Sequence, residues 1–409
     1  MCTLAIFCPL VGAPAAQAAP GTLAALQSDL SHQLALAGPQ SSAYVYDLTA
    51  KQALFSDRAT ALHPPASVEK LYTATTALAL MGPSAQLSTA VLGAGHLVAG
   101  GIWEGSLYLR GSGDPTFGNS AFIGAHYGGL GASVSALASQ LVLDGIHQVT
   151  GSIFGDESYL DSLRGEPSSG YAPDSFLEGT LSGLAFNRGE SGKESGPHAP
   201  AAFAARRLAA ALRADGVSVH GPSRAAATPV GAIPLAAVAS PTIAQLLGLM
   251  LPPSDNFFAE MLIKDLGARY GGAGTTAAGA AVVRQTIASL LGIHPRLVDG
   301  SGLSRADLSS PYEVTDLLVE LAPTPIGAVL RSDLAVAGRS GTLAKRMRGS
   351  GASGRCQAKT GTLTGASNLA GYCQAADGHL LAFAIFNDDI ATELAHTFQD
   401  HMTISIADY

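Results

Sequence analysis

The chain has 409 residues, of which 47% are hydrophobic and only 13% charged, with a formal net charge of -8 at pH 7. That length exceeds what one hydrophobic core usually sustains, so two or three folded units are expected, and the composition is that of an ordered globular protein. An acidic balance without a basic cluster argues against nucleic acid or an anionic membrane as partner, and no His/Cys/Asp/Glu grouping has metal-ligand spacing, so neither a metal nor another cofactor is expected.

The first twenty residues are apolar, small and uncharged and end Ala16-Gln17-Ala18-Ala19-Pro20. They resemble an export signal, residues 1–19, with an A-x-A-like cleavage site after Ala18. The usual basic start is missing, because no Lys or Arg precedes Lys51, and a buried N-terminal segment is the alternative. The bulky Phe7 before Cys8 speaks against a lipid anchor. No later stretch has about 20 uninterrupted apolar residues, so no transmembrane segment is expected in the mature chain.

Apolar residues at helical spacing (Leu23, Leu26, Leu30, Leu34) predict a helix from Thr22 to Leu36, ended by Gly38-Pro39. Ser42 to Asp47 and Gln52 to Asp57 read as strands of a hairpin. Motif order suggests that they pair with strands from the far C-terminus and close one domain around a long insertion. Pro64-Pro65 fix an extended approach to Ser67, where a helix to about Leu80 is expected to begin before Gly82-Pro83 stops it. Residues three apart share a helix face, so the Lys70 amine lies over the Ser67 hydroxyl, a nucleophile with its own base. Taken alone, Ser-x-x-Lys is more often a solvated turn.

Residues 84–240 read as the insertion, with strands at Leu87 to Leu92, Ser106 to Arg110 and Val149 to Phe154 and helices at Val134 to Leu143 and Ala201 to Leu212. Gly165 to Pro200, dense in Gly, Ser and Pro, reads as an irregular loop whose default place is facing solvent. From about Pro241 the first domain resumes. Ile243 to Met250 is a helix, Ser254-Asp255-Asn256 stands on a turn, and helices follow from Phe257 to Gly267 and from about Thr275 to Leu291. Asp299-Gly300-Ser301-Gly302-Leu303-Ser304-Arg305 is a glycine-rich turn. Cys356 to Thr362, Leu369 to Cys373 and Leu380 to Phe386 read as antiparallel strands, with Lys359-Thr360-Gly361 on the first. The missing side chain of Gly361 is expected to let a substrate backbone come close, and an extended peptide could pair along this strand.

Lysine is scarce, with six in the chain, yet two fall on motif positions. Ser67-x-x-Lys70, Ser254-Asp255-Asn256 and Lys359-Thr360-Gly361, in that order, are the signature shared by penicillin-binding proteins and class A β-lactamases. Over residues 40–390 the chain resembles the low-molecular-mass class C penicillin-binding proteins, D-Ala-D-Ala carboxypeptidases and endopeptidases of the peptidase S13 family. Gly111-Ser112-Gly113-Asp114-Pro115-Thr116, the run from Ser254 through Leu262, Asp299 to Arg305 and the run from Lys359 to Gly365 extend the likeness.

The resemblance implies an α/β (α+β) penicillin-binding, serine β-lactamase-like transpeptidase fold formed by residues 20–83 and 241–409, with residues 84–240 inserted. It implies Ser67 as the acylated nucleophile, Lys70 as its base, Ser254 as proton relay, Asn256 as holder of the acyl-side amide and Lys359 as the second cation that keeps Lys70 neutral. Thr360, Gly361 and Thr362 would bind the substrate, with the backbone N–H groups of Ser67 and Thr362 as oxyanion hole. Arg305 and Thr364 match positions that approach the substrate's diaminopimelate side chain, and Asp156 is the candidate for the acid that the family's insert adds to that subsite. The partners implied are peptidoglycan peptides and, as covalent inhibitors, β-lactam antibiotics, and the place of action is extracytoplasmic. The interval from Ser67 to Ser254 is shorter than the family usually has, so the third, nested domain is expected to be reduced. A β-lactamase and a non-catalytic peptidoglycan-binding protein are the rival readings. If the hairpin turns about Thr364-Gly365, Cys356 and Cys373 fall opposite each other, within disulfide reach; two buried thiols are the other possibility.

Overall fold

A computed structural model describes residues 21–189 and 199–409, so the expected export signal, Cys8 and Lys193 lie outside the described residues. The chain opens with α1 (Leu23–Ala37), β1 (Ser41–Asp47), β2 (Gln52–Asp57), a 3-10 turn (Ala66–Glu69) and α2 (Lys70–Leu80). The next stretch contains β3 (Gln86–Val98), β4 (Ile102–Gly111), α3 (Ser120–Tyr127), α4 (Val134–Leu143), β5 (Gln148–Val149), β6 (Ile153–Asp156), α5 (Pro200–Ala214), β7 (Ser218–Val219), β8 (Ser223–Ala225) and β9 (Ile233–Thr242). It continues through α6 (Ile243–Met250), α7 (Asn256–Tyr270), α8 (Thr276–Leu291), α9 (Pro311–Leu321) and α10 (Pro325–Ser332). The remaining elements are β10 (Ala335–Val336), β11 (Cys356–Leu363), β12 (Ala366–Gln374), β13 (Leu380–Asp388) and α11 (Thr392–Asp408).

The N-terminal hairpin joins the C-terminal strands, as motif order suggested, with Val45 opposite Phe383. The resulting sheet has six strands in the order β10-β11-β12-β13-β1-β2. Side chains alternate across it with the period of two that a strand imposes. On β13, Leu381, Phe383 and Ile385 pack with Leu30, Leu34, Met402 and Ile406 of α1 and α11. Ala382, Ala384 and Phe386 face the core that contains Leu71, Leu247, Ile263 and Leu318 on the helical side. Every residue of α2 from Lys70 to Leu78 is buried, so this helix has almost no solvent face. Cys356 and Cys373 are paired in register and bonded, with their Cα atoms 4.1 Å apart.

The inserted stretch builds a second sheet in the order β7-β5-β4-β3-β9, with β6 beside β4 and β8 beside β6. Trp103, Leu107, Leu137 and Leu208 form its core with α4 and α5. The single strand expected from Val149 to Phe154 divides into β5 and β6. Thr150 and Gly151 turn their N–H groups to Trp103 O (3.1 Å) and Gly105 O (2.9 Å) and break the ladder between them. Among the described residues, no helix is long and apolar enough to cross a membrane.

Candidate active site

Ser67 lies in the 3-10 turn rather than in α2, which starts at Lys70. The expected geometry survives, because residues three apart also meet on a 3-10 turn, and Lys70 Nζ is 2.9 Å from Ser67 Oγ. The turn is entered through Ala66 at φ 48°, a left-handed conformation unusual for a residue with a side chain. Two glycines let their backbones close on it. A Cβ on Gly302 would strike the Ala66 carbonyl, and one on Gly361 would sit 2.5 Å from Pro65 O and 3.2 Å from Val68 N. The reading of Gly361 is thereby corrected: its missing side chain makes room for the nucleophile's own turn, not for a substrate backbone.

Both motif lysines are fully buried. Lys70 Nζ bonds Ser67 Oγ at 2.9 Å, Asn256 Oδ1 at 2.6 Å and Ser301 O at 2.7 Å. Burial lowers its pKa to about 8, against the opposing pull of Glu69, Asp299, Glu260 and Asp255. Lys359 Nζ bonds Ser254 Oγ at 2.7 Å and Thr360 O at 2.8 Å. Its pKa falls well below that of an ordinary lysine, first through burial and then through the charge of Lys70. Burial is the first cause in both lysines, and the repulsion between the two cations, which is mutual, adds to it.

Ser254 has φ 68°, so the turn of the second motif also holds a left-handed residue. Backbone strain of this kind persists where the surroundings over-determine it. Asp255 is the N-cap of α7 and accepts the Phe258 N–H at 3.0 Å. Arg188 then grips Asp255 through two bonds of 2.6 and 3.0 Å and donates through Nε to Glu178 O at 2.7 Å. Asn256 opens α7, with Oδ1 on Lys70 and Nδ2 donating to Phe176 O at 2.8 Å. Arg188 and Phe176 were not singled out in the sequence. Their partners lie far along the chain, and neither belongs to a periodic segment that could have shown it.

One edge of β11 stands free at this site. Among the described residues, β10 pairs only with Gln357 and Ala358 and no strand pairs with Lys359 to Leu363 on that side. Thr360 Oγ1 bonds Thr342 Oγ1 at 2.9 Å, while Thr362 and Thr364 are exposed. Arg305 reaches the same end of the strand, donating to Thr364 O at 2.7 Å and to Asp388 Oδ1 at 3.2 Å. A cleft of about 400 Å³ is lined there by Glu166, Asp174, Phe176, Leu303, Thr362 and Thr364. The segment after Gly165, expected to face solvent, thus forms a wall of the cleft. Asp156 does not join the group. It ends β6, and its carboxylate is taken up inside the insert by Ser158 N (2.9 Å), Thr228 N (2.8 Å) and Thr228 Oγ1 (2.6 Å). Burial alone would raise its pKa, but these hydrogen bonds outweigh it and hold the carboxylate below its ordinary value.

The profile of the D-Ala-D-Ala carboxypeptidase 3 (S13) family matches residues 23–174 and 189–409. The chain belongs to this family. It is 29% identical to a D-alanyl-D-alanine carboxypeptidase of Actinomadura sp. (strain R39), over 96% of this chain and 86% of that one. Among solved structures it is similar to penicillin-binding protein 4 of Haemophilus influenzae, with a TM-score of 0.75 at 21% identity over 92% of this chain and 97% of that one. A second structure of that protein, complexed with a β-lactam, gives a TM-score of 0.69 at 20% identity over 93% and 99% of the two chains. The fold is therefore that of the penicillin-binding proteins, with a mixed α/β architecture.

Proposed function

We propose that the chain is a serine D,D-peptidase that cleaves the D-Ala-D-Ala type bond of peptidoglycan stem peptides through an acyl-enzyme, as a carboxypeptidase or endopeptidase. The observation that carries this is the hydrogen-bonded pair of Ser67 and Lys70, with the amine of Lys70 buried and its pKa brought to about 8. At that value a useful fraction of the amine is neutral and can take the serine proton. Ser67 Oγ attacks the carbonyl of the penultimate residue while its proton passes to Lys70. The oxyanion is received by the N–H groups of Ser67 and Thr362.

As the C–N bond breaks, Ser254, hydrogen-bonded to Lys359 at 2.7 Å, relays a proton to the departing amine. Water then hydrolyses the ester and restores Ser67. The substrate lies along the free edge of β11 with its terminal carboxylate at Thr360 and Thr362, and Arg305 and Thr364 meet its side chain. In place of Asp156, Asp174 is the acid of that subsite. It lines the cleft, and among the described residues only its Oδ1 is taken up, by the N–H groups of Phe176 and Leu177. A β-lactam presents the same carbonyl and carboxylate and acylates the same serine. Peptidoglycan lies outside the cytoplasm, so the place of action is extracytoplasmic, where a Cys356–Cys373 disulfide persists.

The test is intact mass after incubation with benzylpenicillin, beside Ser67→Ala. One stable adduct of the drug's full mass on the wild type, absent from the variant, is expected, together with D-alanine release from a D-Ala-D-Ala peptide. Drug destroyed without an adduct would make the chain a β-lactamase, and drug left intact would make it a binding protein.

A further inference from the structure

A layer of buried acid lies behind Lys70 that the reaction as described does not use. Glu260 stands one helical turn after Asn256 on α7, so the two side chains share a face. It is fully buried, and its Oε1 accepts the N–H groups of Gly300 and Ser301, each at 2.9 Å. Asp299 grips the same peptide run, with Oδ1 accepting from Gly302 N at 2.7 Å and Oδ2 from Ser304 N at 2.8 Å. What this run presents to the site is the Ser301 carbonyl, 2.7 Å from Lys70 Nζ.

A neutral amine has two N–H groups and one lone pair. Two acceptors around Lys70 Nζ, Asn256 Oδ1 and Ser301 O, can hold the two N–H groups. The third direction is that of Ser67 Oγ, so the lone pair is left aimed at the serine proton. One acceptor is a side chain fixed on α7, and the other is a loop carbonyl that needs something to hold it.

We propose that Glu260 is a positioning residue for the general base: by accepting the Gly300 and Ser301 N–H groups it fixes the Ser301 carbonyl on Lys70 and so aims the amine at Ser67. Burial and the neighbouring charge of Asp299 push the Glu260 pKa up to about 8, so near neutrality it is an uncharged acid whose Oε1 still accepts both N–H groups. A glutamine reproduces that acceptor without the ability to become charged. Lys70 faces Glu69 from its own turn, Asp255 and Glu260 from α7 and its cap, Asp299 from the loop and Lys359 from β11. Glu260 itself faces Asp299, Glu166, Glu69 and Lys264. Of these, Glu260 joins α7 to the two peptides just before the Ser301 carbonyl, while Asp299 holds Gly302 N, the N–H of the peptide that carries it.

The experiment measures the second-order rate of acylation by benzylpenicillin across pH for wild type, Glu260→Gln and Glu260→Ala, with the titration of Lys70 followed by NMR of 13C-labelled lysine. Glu260→Gln is expected within about threefold of wild type at neutral pH, while Glu260→Ala loses roughly 30-fold or more as the amine is misaimed. In Glu260→Gln the carboxylate that forms above about pH 8 and favours the ammonium is gone. The Lys70 titration and the rising limb of the rate then move to lower pH by roughly half a unit. Wild-type rates in Glu260→Ala, or a Glu260→Gln no faster than Glu260→Ala, would overturn the proposal. If Glu260→Ala does not fold, Glu260→Leu, which keeps the bulk and removes the acceptor, takes its place in the comparison with Glu260→Gln. The inference rests on Ser67 and Lys70 as nucleophile and base. Failure of that reading shows separately, as absence of any adduct on the wild type, while the Lys70 titration still reports on Glu260.

Discussion

Replacing Arg188 by alanine should loosen the turn of the second motif from outside the three motifs. The Arg188 and Asp255 side chains are only 9% and 13% exposed, with N···O at 2.6 Å. Removing one partner of a buried ion pair costs about 3–5 kcal/mol, because the other charge stays behind. The guanidinium also lies 4.8 Å from the centre of the Phe257 ring, a contact worth about 1 kcal/mol or more when desolvated. Against this, Asp255 keeps its hydrogen bond from Phe258 N and can take water into the space left. The expected net loss is about 3 kcal/mol, with acylation slowed roughly tenfold as Ser254 and Asn256 lose their fixed turn. Urea unfolding of Arg188→Ala, Asp255→Asn and the double variant gives the coupling directly. A coupling of about 2 kcal/mol is expected; additive effects, or an Arg188→Ala loss below about 0.5 kcal/mol, would refute the reasoning.

Gly361→Ala should lower acylation by roughly 100-fold, because the new Cβ would meet Pro65 O at 2.5 Å and push the Ser67 turn out of place; penicillin labelling at the wild-type rate would contradict this. Acylation should rise with pH through about 8, the value to which burial brings Lys70, since only the neutral amine takes the serine proton; a rate flat from about pH 6 to pH 9 would exclude Lys70 as the base. Asp265 is fully buried and has no hydrogen-bond partner among the described residues, and burial holds its pKa well above the ordinary value. The folded state then keeps a proton that the unfolded chain loses above about pH 4, so stability from this group fades as pH rises through that window. The melting temperature of Asp265→Asn minus that of wild type should therefore increase from pH 5 to pH 8, and a constant difference would rule this out. Cys356→Ala with Cys373→Ala should destabilise by about 3 kcal/mol, the loop entropy of a bridge spanning 17 residues, read by thermal unfolding; no change would mean the thiols are not bonded in solution.

The chemistry was legible where it is local. Ser67 and Lys70 are three residues apart and meet on any helical turn, so a 3-10 turn in place of the expected α-helix changed nothing at 2.9 Å. The Cys356 to Cys373 register followed from a short hairpin, where the turn fixes the pairing. Illegible were the contacts between segments far apart in sequence. Arg188 on Asp255, Phe176 O on Asn256 and Gly361 against Pro65 each join parts of the chain whose approach no periodicity encodes. Asp156 failed for the same reason in reverse. The family resemblance suggested an acid from the insert, but the parallel pairing of β6 with β4 and β8 brings Thr228 over the Asp156 carboxylate.

Asn256 shows why the motifs need so much of the chain around them. Its Oδ1 holds Lys70, its Nδ2 holds the Phe176 carbonyl on the cleft wall, and its helix is capped by the residue that Arg188 grips. Phe176 and Arg188 both come from the segment between β6 and α5, which looked like a featureless loop in sequence. A change in that segment therefore reaches the base through two short bonds, without touching any residue of the three motifs. The insert thus acts as the outer wall of the site, and the length of its loops can vary only where those two contacts are kept.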